Sequence, residues 1–341
     1  MELFLLLGLG GAALLSLLSS SSDNDTEDTD DTEEVAEDEL VLAQAGDNII
    51  TGDGDDVILS PNVLDGPVTV QSGDGNDIIN IDHEGRERSE VNAGAGDDII
   101  RYDGDAALSG GDGNDTIESM GTWNRLSGGD GDDLLTSHET ENSIYGGEGN
   151  DTIEVETLRF GHYYGGEGDD TFELGFDYEF RYDIDDTISG GAGDDVFNIT
   201  NRSIRVEDTV TFPADEEPHA YEFNVAGDEG ADTFEVTHEL DIRASSSTDD
   251  DFYATNSTII RDFDPDEDTL IVTPNELGVY NGTPTMTVES SGPYSYNGMY
   301  DSVVQLEYTQ EDTGSTATWR LHVMSTRALT GDDVVLNLAA A

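Results

Sequence analysis

The sequence contains no lysine and no cysteine. Its 12 basic residues are all arginines, set against 78 aspartates and glutamates, for a formal net charge of -66 over 341 residues. Without cysteine there are no disulfides and no thiolate metal sites. Without a cationic face the chain has nothing to offer phosphate backbones or anionic headgroups, which excludes nucleic-acid binding as a class. So much charge of one sign also opposes compaction. Both deficits point to a bound cation. Apolar residues are scarce as well, at 35%, which suits a narrow core better than a thick one.

Long hydrophobic runs are confined to the start. Leu3 to Leu18 are apolar apart from Gly and Ser, shorter than the roughly 20 residues of a membrane span. Glu2 stands where a signal peptide has its basic region. Residues 1–22 read as a hydrophobic leader or anchor, with a cleaved signal peptide ending near Ser19 or Ser21 as the alternative. Membrane association through this segment is the matching expectation. Residues 23–42 read as an acidic disordered linker, because a run of Ser, Asp, Glu and Thr cannot bury enough apolar surface to order itself.

Glycine beside aspartate is what the chain has in quantity. A hexad recurs nine times between residues 43 and 240: TGDGDD from Thr51, SGDGND from Ser72, AGAGDD from Ala93, GGDGND from Gly110, GGDGDD from Gly128, GGEGND from Gly146, GGEGDD from Gly165, GGAGDD from Gly190 and GDEGAD from Gly227. Two apolar columns keep step with it. One stands two residues after the final Asp (Ile58, Ile79, Ile100, Ile117, Leu135, Ile153, Phe172, Phe197, Phe234). The other stands two residues before the hexad (Ile49, Val70, Val91, Leu108, Leu126, Ile144, Tyr163, Ile188, Val225). The distance from the second column to the first is always nine residues, whereas the return distance runs from 8 to 28. One side of each coil is therefore fixed and the other accepts insertions, notably between Phe172 and Ile188 and between Phe197 and Val225. The pattern predicts an all-β solenoid with two short strands per coil, buried only by stacking. Nine coils about 4.8 Å apart would give a rod of roughly 40 Å.

The hexads and the apolar residue after each resemble the G-G-x-G-x-D-x-U-x nonapeptide of RTX, or hemolysin-type, calcium-binding proteins. The resemblance implies a right-handed parallel β-roll with Ca2+ held between turns along one edge. Only every second turn keeps the consensus, so the other edge is expected to bind no calcium. Ca2+ takes six to eight oxygens, and the resemblance places the glycine carbonyls and the sixth-position aspartate in its shell. The implied metal residues are Gly52, Gly54, Asp56, Gly73, Gly75, Asp77, Gly94, Gly96, Asp98, Gly111, Gly113, Asp115, Gly129, Gly131, Asp133, Gly147, Gly149, Asp151, Gly166, Gly168, Asp170, Gly191, Gly193, Asp195 and Asp232. The fifth position, Asp or Asn in all hexads but the last, reads as a turn former that tolerates left-handed backbone, not as a ligand. The third position varies and reads as solvent-facing.

Residues 43–240 are thus expected to form the roll and residues 241–341 a C-terminal β cap. IIRDFDPDEDTLIV (Ile259–Val272) resembles the closing segment that follows RTX repeats, and strand-like runs at Thr285–Glu289, Ser302–Tyr308, Thr316–Val323 and Asp333–Leu338 suggest an antiparallel cover for the open end. The terminus GDDVVLNLAAA looks like the C-terminal signal of type I secretion, which implies an ABC-type exporter as a partner; an ordinary last strand explains it too.

No enzyme motif survives inspection. His138-Glu139 opens an H-E-x-x-H pattern that Asn142 breaks; His83-Glu84 fails at Glu87 and His238-Glu239 at Ile242. No G-x-S-x-G elbow or P-loop occurs. The expected function is that of an extracellular, secreted calcium-binding protein, folded by Ca2+, with a structural, surface or adhesion role and no catalysis. The alternative is a polysaccharide lyase or epimerase on the solenoid flank, for which Arg159, His162 and Tyr164 are the nearest cluster. An ice-binding face would need an unbroken threonine ladder, and Thr116, Thr152, Thr171 and Thr233 do not make one.

Overall fold

The computed structural model describes residues 38–85, 87–177, 186–204, 223–241, 252–274, 283–293, 298–309 and 316–338. The leader, most of the linker and the larger part of both expected insertions lie outside the described residues.

The fold is an all-β parallel solenoid of the β-roll type. From Leu40–Leu42 to Thr269–Pro274 successive strands alternate between a 12-stranded and a 13-stranded sheet, so the chain crosses from one to the other at each turn; Thr285–Ser291, Tyr300–Thr309 and Thr316–Ser325 then all lie in the 13-stranded sheet, and Val334–Leu336 completes the 12-stranded one. Both apolar columns become the core. Every member of the first is fully buried and every member of the second is at most 7% exposed. Each pairs in parallel register with the next, as Leu126 with Ile144 and Ile144 with Tyr163. Alternation along a strand sends these side chains inward and their neighbours outward. The rings of Phe172, Phe197 and Phe234 stack with centroids 4.8 and 4.9 Å apart, the spacing of adjacent strands.

The widening of the return distance shows first as longer strands. Thr171–Asp177, Val196–Ile204 and Thr233–Asp241 pair over up to nine residues, so 173–177 continue the strand where an excursion was expected.

The expected antiparallel cap is antiparallel only in part. Thr285–Ser291 and Tyr300–Thr309 run antiparallel, the latter against Thr316–Ser325. Thr316–Ser325, however, pairs in parallel with Phe252–Phe263 and extends the 13-stranded sheet. Val334–Leu336 likewise adds in parallel to Thr269–Pro274. The physical reason is that Trp319, Leu321 and Val323 carry the same inward alternation as the coils before them, and period-two alternation does not specify strand direction.

Candidate calcium sites

Each hexad forms the turn from the 13-stranded sheet into the 12-stranded one. Ser143–Glu148 enters such a turn and Thr152–Val155 leaves it. Equivalent positions therefore lie over one another, with Gly129, Gly147 and Gly166 in direct register. Gly147 has φ +139° and Gly149 φ +120°, a region that L side chains rarely adopt. A Cβ on Gly147 would also stand 1.9 Å from the Gly129 carbonyl oxygen. The exception is Asp228, which takes φ +70° at the second position, in a region that Asp tolerates better than most residues, and whose N–H donates to Asp262 Oδ2 at 2.9 Å.

The sixth-position aspartates are buried, none more than 3% exposed. Oδ1 of each accepts the N–H of the equivalent aspartate one coil earlier, from Asp56 N to Asp77 Oδ1 through Asp195 N to Asp232 Oδ1, all at 2.7–2.9 Å. The second oxygen has no hydrogen-bond partner in Asp56, Asp77, Asp98, Asp115, Asp133, Asp151, Asp170 and Asp195. A buried carboxylate oxygen without a donor is expensive. Burial, reinforced by neighbouring carboxylates and opposed by the backbone bond, pushes Asp98, Asp133, Asp151 and Asp195 up to about 7. The same causes push Asp115, Asp170 and Asp232 up to about 6.

The first hexad position shows what converges on that oxygen. A Cβ placed on Gly146 would meet Asp151 Oδ2 at 2.1 Å and the Gly165 carbonyl oxygen of the next coil at 2.5 Å. Gly165 gives the same pair of distances, to Asp170 Oδ2 and the Gly190 carbonyl. Two oxygens of adjacent coils thus face the same small space beside the Gly146 Cα, a space that any side chain there would fill. Among the described residues no group of three or more His, Asp or Glu side chains could hold a metal on its own, so backbone carbonyls would have to complete any shell. The donor set, all oxygen, suits a hard cation. The first three hexads differ: Thr51 Oγ1 donates to the Ser72 carbonyl at 2.8 Å and Ser72 Oγ to the Ala93 carbonyl at 2.9 Å.

The fifth position is not left-handed at any described hexad, which corrects the expectation. Its side chains form a second ladder instead. Oδ1 of Asp55, Asn76, Asp97, Asn114, Asp132, Asn150, Asp169 and Asp194 each accepts the fifth-position N–H of the following coil at 2.8–2.9 Å. The fifth-position bonds and the sixth-position bonds run in opposite directions along the axis.

The opposite edge carries buried carboxamides at Asn124 and Asn142 and, further along, the buried carboxylate of Asp186, whose Oδ1 accepts the Gly161 N–H. Asn124 N–H donates to Asn142 Oδ1 at 2.7 Å, and Asn142 Nδ2 donates to Ser137 Oγ and to the carbonyls of Gly121 and Glu139. Both asparagines are buried. Trp123 and Glu141, just before them, carry positive φ.

The RTX calcium-binding nonapeptide repeat matches in four copies, over residues 36–60, 102–135, 119–153 and 184–198. The chain carries RTX calcium-binding repeats. RTX nonapeptide repeats bind Ca2+, and on a β-roll they support a calcium-binding structural protein. No curated protein matches the sequence.

The RTX turns bring the expected glycines and aspartates together along one edge, and the ladder extends beyond the nine hexads. Glu39 N–H donates to Asp56 Oδ1 at 2.6 Å before the first RTX turn. Asp232 N–H donates to Asp268 Oδ1 at 3.0 Å after the last. Asp262 stands beside the first hexad position, accepting the N–H of Gly227 at 3.1 Å. Sequence reasoning missed all three, although a signal existed: Val41 and Leu270 follow Glu39 and Asp268 by two residues, the offset of the apolar column. Burial raises Asp262 and Asp268 as well. The residues of the enzyme alternative do not assemble a comparable site. Tyr164 stacks on Tyr145 at 5.2 Å, Arg159 lies over the Phe160 ring, and His162 is exposed. His138 is held between Glu118 and Glu156 at 3.0 and 3.1 Å.

Proposed function

We propose that this chain is a secreted, non-enzymatic protein whose roll is folded by Ca2+ outside the cell, where it serves a structural or surface role such as adhesion. One observation carries the reading: eight buried carboxylate oxygens without a donor, aligned along a single edge. In the cytosol, where free Ca2+ is scarce, those oxygens face one another uncompensated. In a calcium-rich medium each bound ion offsets the burial of the carboxylates around it. The residues proposed to hold it are the sixth-position aspartates from Asp56 to Asp232 and the carbonyls of the hexad glycines.

Such a chain would leave the cell unfolded and fold on arrival, which agrees with export by an ABC-type transporter acting on the C terminus. Residues 1–22 are proposed to act as leader or anchor; among the described residues no helix is long and apolar enough to cross a membrane. The test is circular dichroism of the full chain in EDTA, then with millimolar Ca2+ and with Mg2+. A cooperative gain of β signal with Ca2+ and little with Mg2+ is expected, since Mg2+ demands a tighter octahedron. A spectrum already β-rich in EDTA and unmoved by Ca2+ would refute the reading.

A further inference from the structure

The fifth hexad position touches no carboxylate oxygen of the calcium edge, yet it is as regular as the sixth. From Asp55 to Asp169 aspartate and asparagine alternate without a break, six times over. All these residues are exposed, so solvation alone would accept any polar residue there. The ladder explains why only these two types occur. Both present a short side-chain oxygen at the same reach, and that oxygen takes the N–H of the next coil. Glu is one carbon too long, and Ser lacks the planar acceptor.

The alternation has its own cause. In a column of aspartates alone, like charges would face each other at the strand spacing. An intervening carboxamide removes every second charge and adds a donor. Asn150 Nδ2 donates to Asp132 Oδ1 at 3.2 Å and Asn114 Nδ2 to Asp97 Oδ1 at 3.4 Å. Asn114 and Asn150 therefore each accept from the coil ahead and lean on the aspartate behind. The ladder stops where its chemistry stops: Ala231 donates to Asp194 but has no oxygen to offer onward.

We propose that the fifth position is a positioning ladder for the calcium edge, in which alternating Asp and Asn hold successive turns at the separation where Asp151 Oδ2 and the Gly165 carbonyl meet. It acts through the turn backbone and not on the ion. Sixth-position bonds tie each turn to the coil after it, and fifth-position bonds tie it back to the coil before, so the cavity is held from both sides once the coils stack. The proposal rests on the calcium reading above.

Three variants of the full chain test it. Asn114→Ala removes the acceptor of the Asp132 N–H. Asn114→Asp keeps the acceptor but places a third charge between Asp97 and Asp132. Asp130→Ala removes a third-position carboxylate from the turn that contains Asp132 without touching either ladder. Calcium midpoints would be read by circular dichroism in low and high salt, and amide exchange of Asp132 in saturating Ca2+. Asn114→Ala should raise the midpoint and speed Asp132 exchange by about tenfold, the order expected for a lost hydrogen bond. Asn114→Asp should keep that amide protected, and its midpoint should rise about threefold in low salt and return toward wild type in high salt, where screening removes the repulsion. Asp130→Ala should match wild type in both readouts. An unchanged midpoint and unchanged Asp132 exchange in Asn114→Ala would overturn the proposal, as would rapid exchange in Asn114→Asp. If Asn114→Ala does not fold, the salt dependence and the protected amide of Asn114→Asp decide alone. A wild-type chain indifferent to Ca2+ would instead refute the calcium reading, and Asp132 exchange would still test the ladder.

Discussion

Asp151 accepts the backbone N–H of Asp133 through Oδ1 at 2.9 Å, while its other oxygen is buried without a partner. One oxygen fastens two coils and the other awaits a cation, so the two tasks can be separated by substitution. Asp151→Asn keeps an oxygen for the Asp133 amide and discards the charge. It should fold more readily than wild type in EDTA yet bind calcium less tightly at the two adjoining gaps. Asp151→Ala should lose both tasks and destabilise the calcium-loaded form by about 1–3 kcal/mol. Calorimetric calcium titration and urea unfolding check the pair; equal behaviour of Asn and Ala would contradict the division.

The raised aspartates fix the sign of the pH dependence. A carboxyl of about 7 in the folded chain and about 3.9 unfolded binds more protons when folded. Stability of the calcium-free fold should therefore fall as pH rises from about 4 to about 7, and level off above. Calcium displaces those protons, so apparent affinity should rise over the same window. The β signal of the calcium-free chain in EDTA, which should be larger at the acid end of the window, measures the first effect. Greater stability at the alkaline end would be incompatible with it.

Gly146 is constrained by space and not by backbone angle, since its φ is not in the left-handed region. Gly146→Ala would put a methyl 2.1 Å from Asp151 Oδ2 and 2.5 Å from the Gly165 carbonyl. We expect one calcium fewer by equilibrium dialysis with the roll otherwise intact. Gly147→Ala, at φ +139°, should instead disturb folding itself. Unchanged stoichiometry in Gly146→Ala would show that the small space is not where the ion sits.

Phe197 lies between Phe172 and Phe234 in the stack. Phe197→Ala should cost about 3–5 kcal/mol in saturating Ca2+, the usual range for a buried ring, and Phe197→Leu less. Denaturant unfolding gives the answer; a loss under about 1 kcal/mol would mean that the core collapses to fill the gap.

Much of this was legible beforehand because repetition converts weak signals into strong ones. A single Ile at a fixed offset says little, but Ile58 through Phe234 keep the offset nine times, and each proved fully buried. What escaped notice lacked that support. Glu39 and Asp268 continue the ladder from outside any hexad, where only the offset to Val41 and Leu270 marks them. The fifth-position bonds were missed because Asp and Asn favour turns for several reasons, and sequence cannot say which N–H an oxygen will find. Strand direction at Thr316–Ser325 was missed because inward alternation is the same for parallel and antiparallel neighbours.

The reversal of direction at Tyr300–Thr309 has a bearing on growth. A parallel column can in principle be prolonged by a second molecule arriving head to tail, each newcomer presenting the same edge to the next, as in an open filament. In the 13-stranded sheet the column does not end that way. Tyr300–Thr309 runs against Thr316–Ser325 and Thr285–Ser291 against Tyr300–Thr309, and this outer hairpin carries neither a hexad turn nor a sixth-position aspartate with which the next coil could pair. A molecule approaching that end in the order of the chain finds no matching template. The two ends are unlike, and a sequence built on a pattern that could repeat without limit makes an object of definite length.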